Sequence, residues 1–129
     1  MWTARFDPEA GAIFIAAQVT GPGGDAPARF LLDTGAHRTT INVSFTDDLG
    51  YGAHMANRRT RSIGAGAPIH GYTMNLRRFE LMGTSLEGFE VVCEDFHAEA
   101  EIDGLVGMDF LRGRILTIDG VEGLVTLSP

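Results

Sequence analysis

Short apolar segments cut by glycine-containing turns leave this chain few folds other than an all-β one. It has 129 residues, of which 17 are glycine, and its Val, Ile, Phe and Leu residues fall in runs of strand length bounded by turn residues. Strands are predicted at residues 12–19, 28–32, 39–43, 55–63, 69–79, 86–93, 114–118 and 124–127. Ser44 and Asp47 form a capping box for a short helix ending at Leu49, and a second short helix follows Gly107 as far as Leu111. The length fits a single domain, residues 1–129.

One strand end carries a candidate catalytic carboxylate. The run Leu31-Leu32-Asp33-Thr34-Gly35-Ala36 ends an apolar strand at an aspartate. Such a strand places the carboxylate at the sheet edge, Thr34 can hydrogen-bond the backbone beneath it, and Gly35 lets main chain approach closely. An aspartate so placed can activate water only when a second carboxylate faces it. The chain has one such turn, so its sequence implies a partner copy.

Two downstream segments complete a pattern. Residues 61–67 are rich in Gly and Ala and predict the tip of a hairpin. Residues 103–111 begin with Asp-Gly, continue as Leu105-Val106-Gly107 and predict a strand that leads through glycine into a short helix.

In this order, the three segments resemble the retropepsin-like (retroviral-type) aspartic proteases. The resemblance implies a small closed barrel-like sheet with one flap hairpin and a short C-terminal helix. It implies an endopeptidase that uses Asp33 from each chain of a homodimer to cleave an extended peptide or protein substrate, with no cofactor and no metal. Thr34, Gly35 and Ala36 would support the active-site turn, and Ile63, Gly64, Ala65 and Gly66 would form the flap that covers the substrate. The alternative is a catalytically inactive retropepsin-like domain that serves as a dimerisation or peptide-binding module.

Other polar residues have simpler interpretations. Asp103 and Asp119 each precede glycine and are predicted turn residues, whereas Asp109 falls in the second helix and is predicted to be at the surface or capping. The four histidines are too far apart for a paired metal-ligand spacing. Cys93, the only cysteine, lies in an apolar strand and is predicted to be buried. No Gly-x-Ser-x-Gly motif supports a serine hydrolase.

Charge and hydrophobicity limit the partners. The formal net charge of −7 argues against nucleic acid, which requires clustered positive charge. The apolar run at residues 13–17 is too short to span a bilayer or to form the core of a signal peptide. A cytoplasmic location without membrane association is therefore the expectation.

Overall fold

A computed structural model describes residues 1–63, 66–95 and 101–129. The strands are β1 Trp2–Arg5, β2 Phe14–Gly21, β3 Gly24–Leu32, β4 Thr40–Asn42, β5 Arg58–Ile63, β6 Pro68–Leu76, β7 Arg78–Leu81, β8 Thr84–Leu86, β9 Phe89–Glu94, β10 Gly104–Val106, β11 Ile115–Asp119 and β12 Leu124–Ser128. The helices are α1 Val43–Asp48, a single 3₁₀ turn Ala53–Met55 and α2 Met108–Leu111. The predicted all-β class is confirmed.

The strands form two sheets. The larger sheet has nine strands in the order β5-β6-β9-β4-β10-β3-β2-β7-β8 and curls into a half-barrel. The smaller sheet has the order β1-β12-β11 and joins the two ends of the chain. Within the larger sheet, β10 runs parallel to β3 and antiparallel to β4. This arrangement inserts the late strand β10 between two early ones.

Four phenylalanines hold the interior together next to the end of β3. Phe30, Phe79 and Phe110 are fully buried. The Phe79 ring lies 5.3 Å from that of Phe30, 5.7 Å from that of Phe89 and 5.9 Å from that of Phe110. Offset and edge-on aromatic contacts at such distances are favourable beyond the area they bury. Phe110 also lies 6.1 Å from the Phe89 ring and therefore fixes α2 against the strands β7 and β9.

The structure corrects several predicted element boundaries. The strand predicted at residues 69–79 ends at Leu76, because the Arg77 amide donates to the Tyr51 hydroxyl at 2.9 Å and Phe79 belongs to β7, which pairs with β2. The strand predicted at 86–93 is divided by Gly88, whose φ of +70° turns the chain between β8 and β9. Sequence reasoning assigned no strand to β1, which is held by its pairing with β12.

The cap of the first helix is also corrected. Asn42, and not Ser44, is the N-cap of α1, and its side-chain oxygen accepts from the Ser44 amide at 3.3 Å. Because the N-cap lies two residues earlier than predicted, Asp47 does not complete a capping box. The polar connection predicted at residues 96–101 lies mostly outside the described residues.

Candidate active site

Asp33 directly follows β3, between two neighbouring segments that hold the backbone. The Asp33 amide donates to the Val106 carbonyl of β10 at 3.0 Å, and the Leu32 amide donates to the Ile13 carbonyl at 2.9 Å. In the parallel register, Leu32 lies opposite Val106. The aspartate is therefore held from both sides at the point where the strand ends.

The turn after Asp33 orients its carboxylate. Oδ1 accepts from the Gly35 amide at 3.0 Å, and the Asp33 carbonyl accepts from the Ala36 amide at 3.1 Å. A Cβ atom at position 35 would lie 3.2 Å from Oδ1, which is tighter than ordinary contact. Asp33 is half-buried, whereas Thr34 and Gly35 are exposed. Within the described part of the chain, neither Asp33 Oδ2 nor the Thr34 hydroxyl has a hydrogen-bond partner. Both groups are therefore available to a ligand or to another chain.

The strand-Gly-helix segment docks onto the chain that follows the turn. The Met108 amide donates to the Ala36 carbonyl at 2.8 Å, and the Asp109 amide donates to the His37 carbonyl at 3.2 Å. A Cβ atom at Gly107 would lie 2.9 Å from the Ala36 carbonyl oxygen and 2.8 Å from the Arg38 carbonyl carbon. Only glycine fits there, which explains the glycine between β10 and α2 in physical terms.

Asp109 has a role that sequence reasoning missed. Its Oδ1 accepts from both the amide and the hydroxyl of Thr39, each at 2.8 Å, and from the Phe110 amide at 2.8 Å. Thr39 is fully buried, and its hydroxyl accepts from the Gly107 amide at 3.2 Å. Asp109 is not the cap of α2, whose N-cap is Gly107. The bond to Thr39, 70 residues away, has no local sequence signal.

Asp103 and Asp119, the two predicted turn residues, each accept hydrogen bonds from backbone amides. Asp103 Oδ2 accepts from the Arg29 amide at 2.8 Å. Asp119 Oδ1 accepts from the Val121 and Glu122 amides, both at 2.9 Å, in the β11–β12 turn. Asp119 is thus a turn residue as predicted, while Asp103 ties the start of β10 to β3.

The hairpin of β5 and β6 stands beside this turn, and a cleft lies between them. At the hairpin tip, Ile63 is 96% exposed and Gly66 has a φ of +92°; the predicted flap residues Gly64 and Ala65 lie outside the described residues. The cleft has a volume of about 390 Å³. It is lined by Ala36, His37, Arg38, Thr40, Thr60, Arg61, Ser62, Val92 and Glu94. A larger cavity of about 440 Å³, between Trp2 and Met82, does not include the Asp33 turn.

A polar cluster fixes Arg38 at the edge of the cleft. Its guanidinium lies 2.6 Å from Glu90 Oε1, which Arg58 also approaches at 3.4 Å, and the Asn57 amide donates to Glu90 Oε2 at 2.8 Å. The Asn57 hydrogen bond, together with the two arginines, lowers the pKa of Glu90. Arg58, Arg59 and Arg61 are exposed, in agreement with the charged outer hairpin face that the sequence predicts.

Cys93 is fully buried, as predicted, and burial raises the pKa of its thiol to about 11. Among the described residues, no three His, Cys, Asp or Glu side chains are placed to hold a metal ion. Nor does any helix in the described ranges have the length and hydrophobicity to span a membrane.

Comparison with known proteins identifies the family to which this fold belongs. A family model described as aspartyl protease matches residues 16–110, well over half of the chain. The chain therefore belongs to the aspartyl protease family. Within it, the predicted retropepsin-like type is confirmed.

Solved structures share the fold at low sequence identity. A retropepsin-like aspartic protease from Rickettsia conorii superposes with a TM-score of 0.70 at 20% identity, covering 97% of this chain and 95% of that one. The retroviral protease-like domain of Ddi1 from Leishmania major gives 0.63 at 16% identity, covering 94% and 97%. The EIAV protease, solved with the inhibitor HBY-793, gives 0.54 at 16% identity, covering 84% and 92%. A search of curated proteins finds no match.

Proposed function

We propose that this chain is an aspartic endopeptidase in which two copies of Asp33, one from each chain of a homodimer, hold the attacking water. The observation that carries the proposal is the Asp33 carboxylate itself. It is fixed at a strand end with Oδ1 held by the Gly35 amide, while its second oxygen has no partner within the described residues. The sequence contains one Asp-Thr-Gly turn. Each of Asp103, Asp109 and Asp119 instead accepts a hydrogen bond from a backbone amide of the same chain. One chain therefore supplies half of a dyad.

Two such carboxylates share a proton. At a separation of about 3 Å and an effective dielectric constant of about 20, two charged carboxylates repel by about 5 kcal/mol, or about four pK units. One therefore stays protonated near neutral pH, which is the aspartic-protease arrangement that is well known from other enzymes. The ionised member takes a proton from water while the protonated one polarises the scissile carbonyl group. This chemistry needs neither a covalent intermediate nor a cofactor.

Two exposed features support a second copy of the chain as the partner. Thr34, next to Asp33, is exposed, and its hydroxyl has no partner among the described residues that would prevent a contact across the dimer. Strand β11 pairs with β12 alone among the described strands, and Ile115 and Ile118 on it are 61% and 48% exposed. An open strand edge with apolar side chains favours pairing with another chain. A C2 dimer brings identical surfaces and both Asp33 side chains to one axis.

The cleft and the β5–β6 hairpin supply a place for an extended peptide. The hairpin borders the cleft with Thr60, Arg61 and Ser62, and the Asp33 turn borders it with residues 36–38. We assign Ile63, Gly64, Ala65 and Gly66 to the flap that closes over the substrate, which is held by main-chain hydrogen bonds as an added strand. Residues 1–129 act as one catalytic domain.

The test is cleavage of a mixed peptide pool by the wild-type chain and by Asp33→Asn, from acidic to neutral pH, with products identified by mass spectrometry. The matched control is Asp119→Asn, which changes an aspartate in a distant turn. We expect cleavage by the wild type and the control and none by Asp33→Asn. Wild-type cleavage by Asp33→Asn would refute the catalytic assignment. Absence of cleavage by the wild type at every pH would favour the peptide-binding module instead.

A further inference from the structure

A buried carboxylate lines the cleft beside the candidate active site. Glu94, the last residue of β9, is 9% exposed and contributes to the cleft wall. Its Oε1 accepts from the Ser62 hydroxyl at 2.5 Å. Its Oε2 has no partner in the part of the chain that the structure describes. A buried carboxylate is costly unless donors satisfy both oxygens, so this one is suited to a donor that arrives with a ligand.

A glycine on the intervening strand lets the Glu94 and Thr60 side chains lie close to its backbone. Gly71 of β6 lies opposite Glu94 on one side and opposite Thr60 of β5 on the other. A Cβ atom at position 71 would lie 2.7 Å from Glu94 Cγ, 3.1 Å from Thr60 Oγ1 and 2.3 Å from the Cys93 carbonyl oxygen. The Thr60 hydroxyl oxygen is itself buried and has no hydrogen-bond partner among the described residues. Glu94 Oε2 and the Thr60 hydroxyl, both without a partner among the described residues, therefore lie in the same row of the sheet, on either side of Gly71.

The cationic side chains of the cleft do not neutralise Glu94. Arg38 is paired with Glu90 at 2.6 Å. Arg61 is exposed and, because side chains alternate along a strand, it extends from the opposite face of β5 to Thr60 and Ser62. His37 is exposed at the cleft edge. Among the described residues, the buried charge of the cleft that has no ion-pair partner is therefore negative.

We propose that Glu94, Thr60 and Ser62 form a side-chain subsite that binds a lysine or arginine of the peptide substrate. This inference rests on the proposed protease function and adds a substrate class to it. The ammonium or guanidinium group donates to Glu94 Oε2 and to the Thr60 hydroxyl oxygen, a charge-assisted pairing stronger than a neutral hydrogen bond. The cleft also contains Ala36, three residues after Asp33, so a bound peptide can occupy the subsite and the candidate active site together.

The experiment compares cleavage of matched peptides. Peptides cleaved by the wild-type chain are aligned on the cut bond, and the basic residue is then replaced by norleucine in a synthetic pair. We expect Lys or Arg enrichment at one position and a kcat/KM about ten- to a hundredfold lower for the norleucine peptide. The selectivity ratio is kcat/KM for the basic peptide divided by kcat/KM for its norleucine partner. Glu94→Gln keeps an oxygen for Ser62 but removes the charge, and should reduce this ratio about tenfold. Glu87→Gln removes an equal charge from the exposed β8–β9 connection and should leave the ratio unchanged.

A binding measurement separates this inference from the proposed catalysis. The peptide pool is incubated with Asp33→Asn and with the double variant Asp33→Asn/Glu94→Gln, and the retained peptides are identified. Retention of basic peptides by the first variant but not by the second supports the subsite even if the wild type cleaves nothing. The inference is overturned if no basic position emerges, or if Glu94→Gln, folded by its melting curve, keeps the wild-type preference.

Discussion

Removal of the Asp109 side chain should be among the most destabilising single changes near the candidate site. In Asp109→Ala, the amide and hydroxyl of Thr39 and the amide of Phe110 lose a shared acceptor. Thr39 is fully buried, so water cannot replace the lost acceptor without opening the structure. The Phe110 amide keeps the Gly107 carbonyl at 3.2 Å, so the two donors of Thr39 are the ones left without an acceptor. An unsatisfied buried donor costs about 1–3 kcal/mol, and these two with partial relaxation give a loss of about 3–4 kcal/mol. Asp109→Asn keeps an oxygen in place and should cost about 1 kcal/mol.

Urea unfolding at one fixed protein concentration measures this effect, because a dimer's stability depends on concentration. With a slope of about 2 kcal/mol per molar urea, the midpoint of Asp109→Ala should fall by about 1.5–2 M. Asp119→Ala is the matched control, since Asp119 also accepts from two amides but in an exposed turn, and it should shift the midpoint by less than about 0.5 M. A loss for Asp109→Ala no greater than that of the control would refute the argument that this carboxylate secures the turn.

Three further outcomes are expected. Asp33→Asn should keep or raise the melting temperature of the dimer, since it removes the repulsion between like carboxylates; a drop of several degrees would contradict the dyad. In hydrogen exchange, the amides of Ile63 and Gly66 at the hairpin tip should exchange faster than the amide of Phe30, which is fully buried in β3. Equal protection of the tip amides and the Phe30 amide would argue against a flap. Burial raises the pKa of Cys93 to about 11 in the fold, whereas an unfolded thiol ionises near pH 9. The free energy of unfolding should therefore be unchanged below pH 9 and should fall by about 2–3 kcal/mol between pH 9 and 11. A flat profile in unfolding titrations would show that the thiol is not shielded.

Local patterns in the sequence predict much of the fold. The Asp33 turn, the β5–β6 hairpin and the step from β10 through Gly107 into α2 depend on neighbouring residues, and each occurs where predicted. Boundaries that depend on distant partners were not predictable. Phe79 belongs to β7, which pairs with β2 and places the Phe79 side chain in the core. The periodicity within residues 69–79 does not indicate this pairing.

The candidate site also has one part that the sequence predicts and another that depends on distant partners. The Gly35 and Ala36 amides donate to Asp33, two and three residues earlier. Because these hydrogen bonds are local, the sequence motif itself predicts them. Glu94 and its partner Ser62 are 32 residues apart on strands that are not neighbours, and Gly71 of the strand between them lets their side chains meet. A sequence shows the residue types of such a site, but the sheet order determines which of them meet.

Strand β10, inserted between β3 and β4, also determines when the site can form. Thr39 and Asp109 are 70 residues apart, and a ribosome adding about 5–20 residues per second needs roughly 4 to 14 seconds to synthesise that interval. Until β10 and α2 have emerged, the Asp33 amide lacks its Val106 partner and the chain after the turn lacks its anchor. Contacts of such long range also slow folding. A nascent chain therefore carries an Asp33 turn that is not yet anchored, and any hydrolytic activity begins only after the last third of the domain has folded around it.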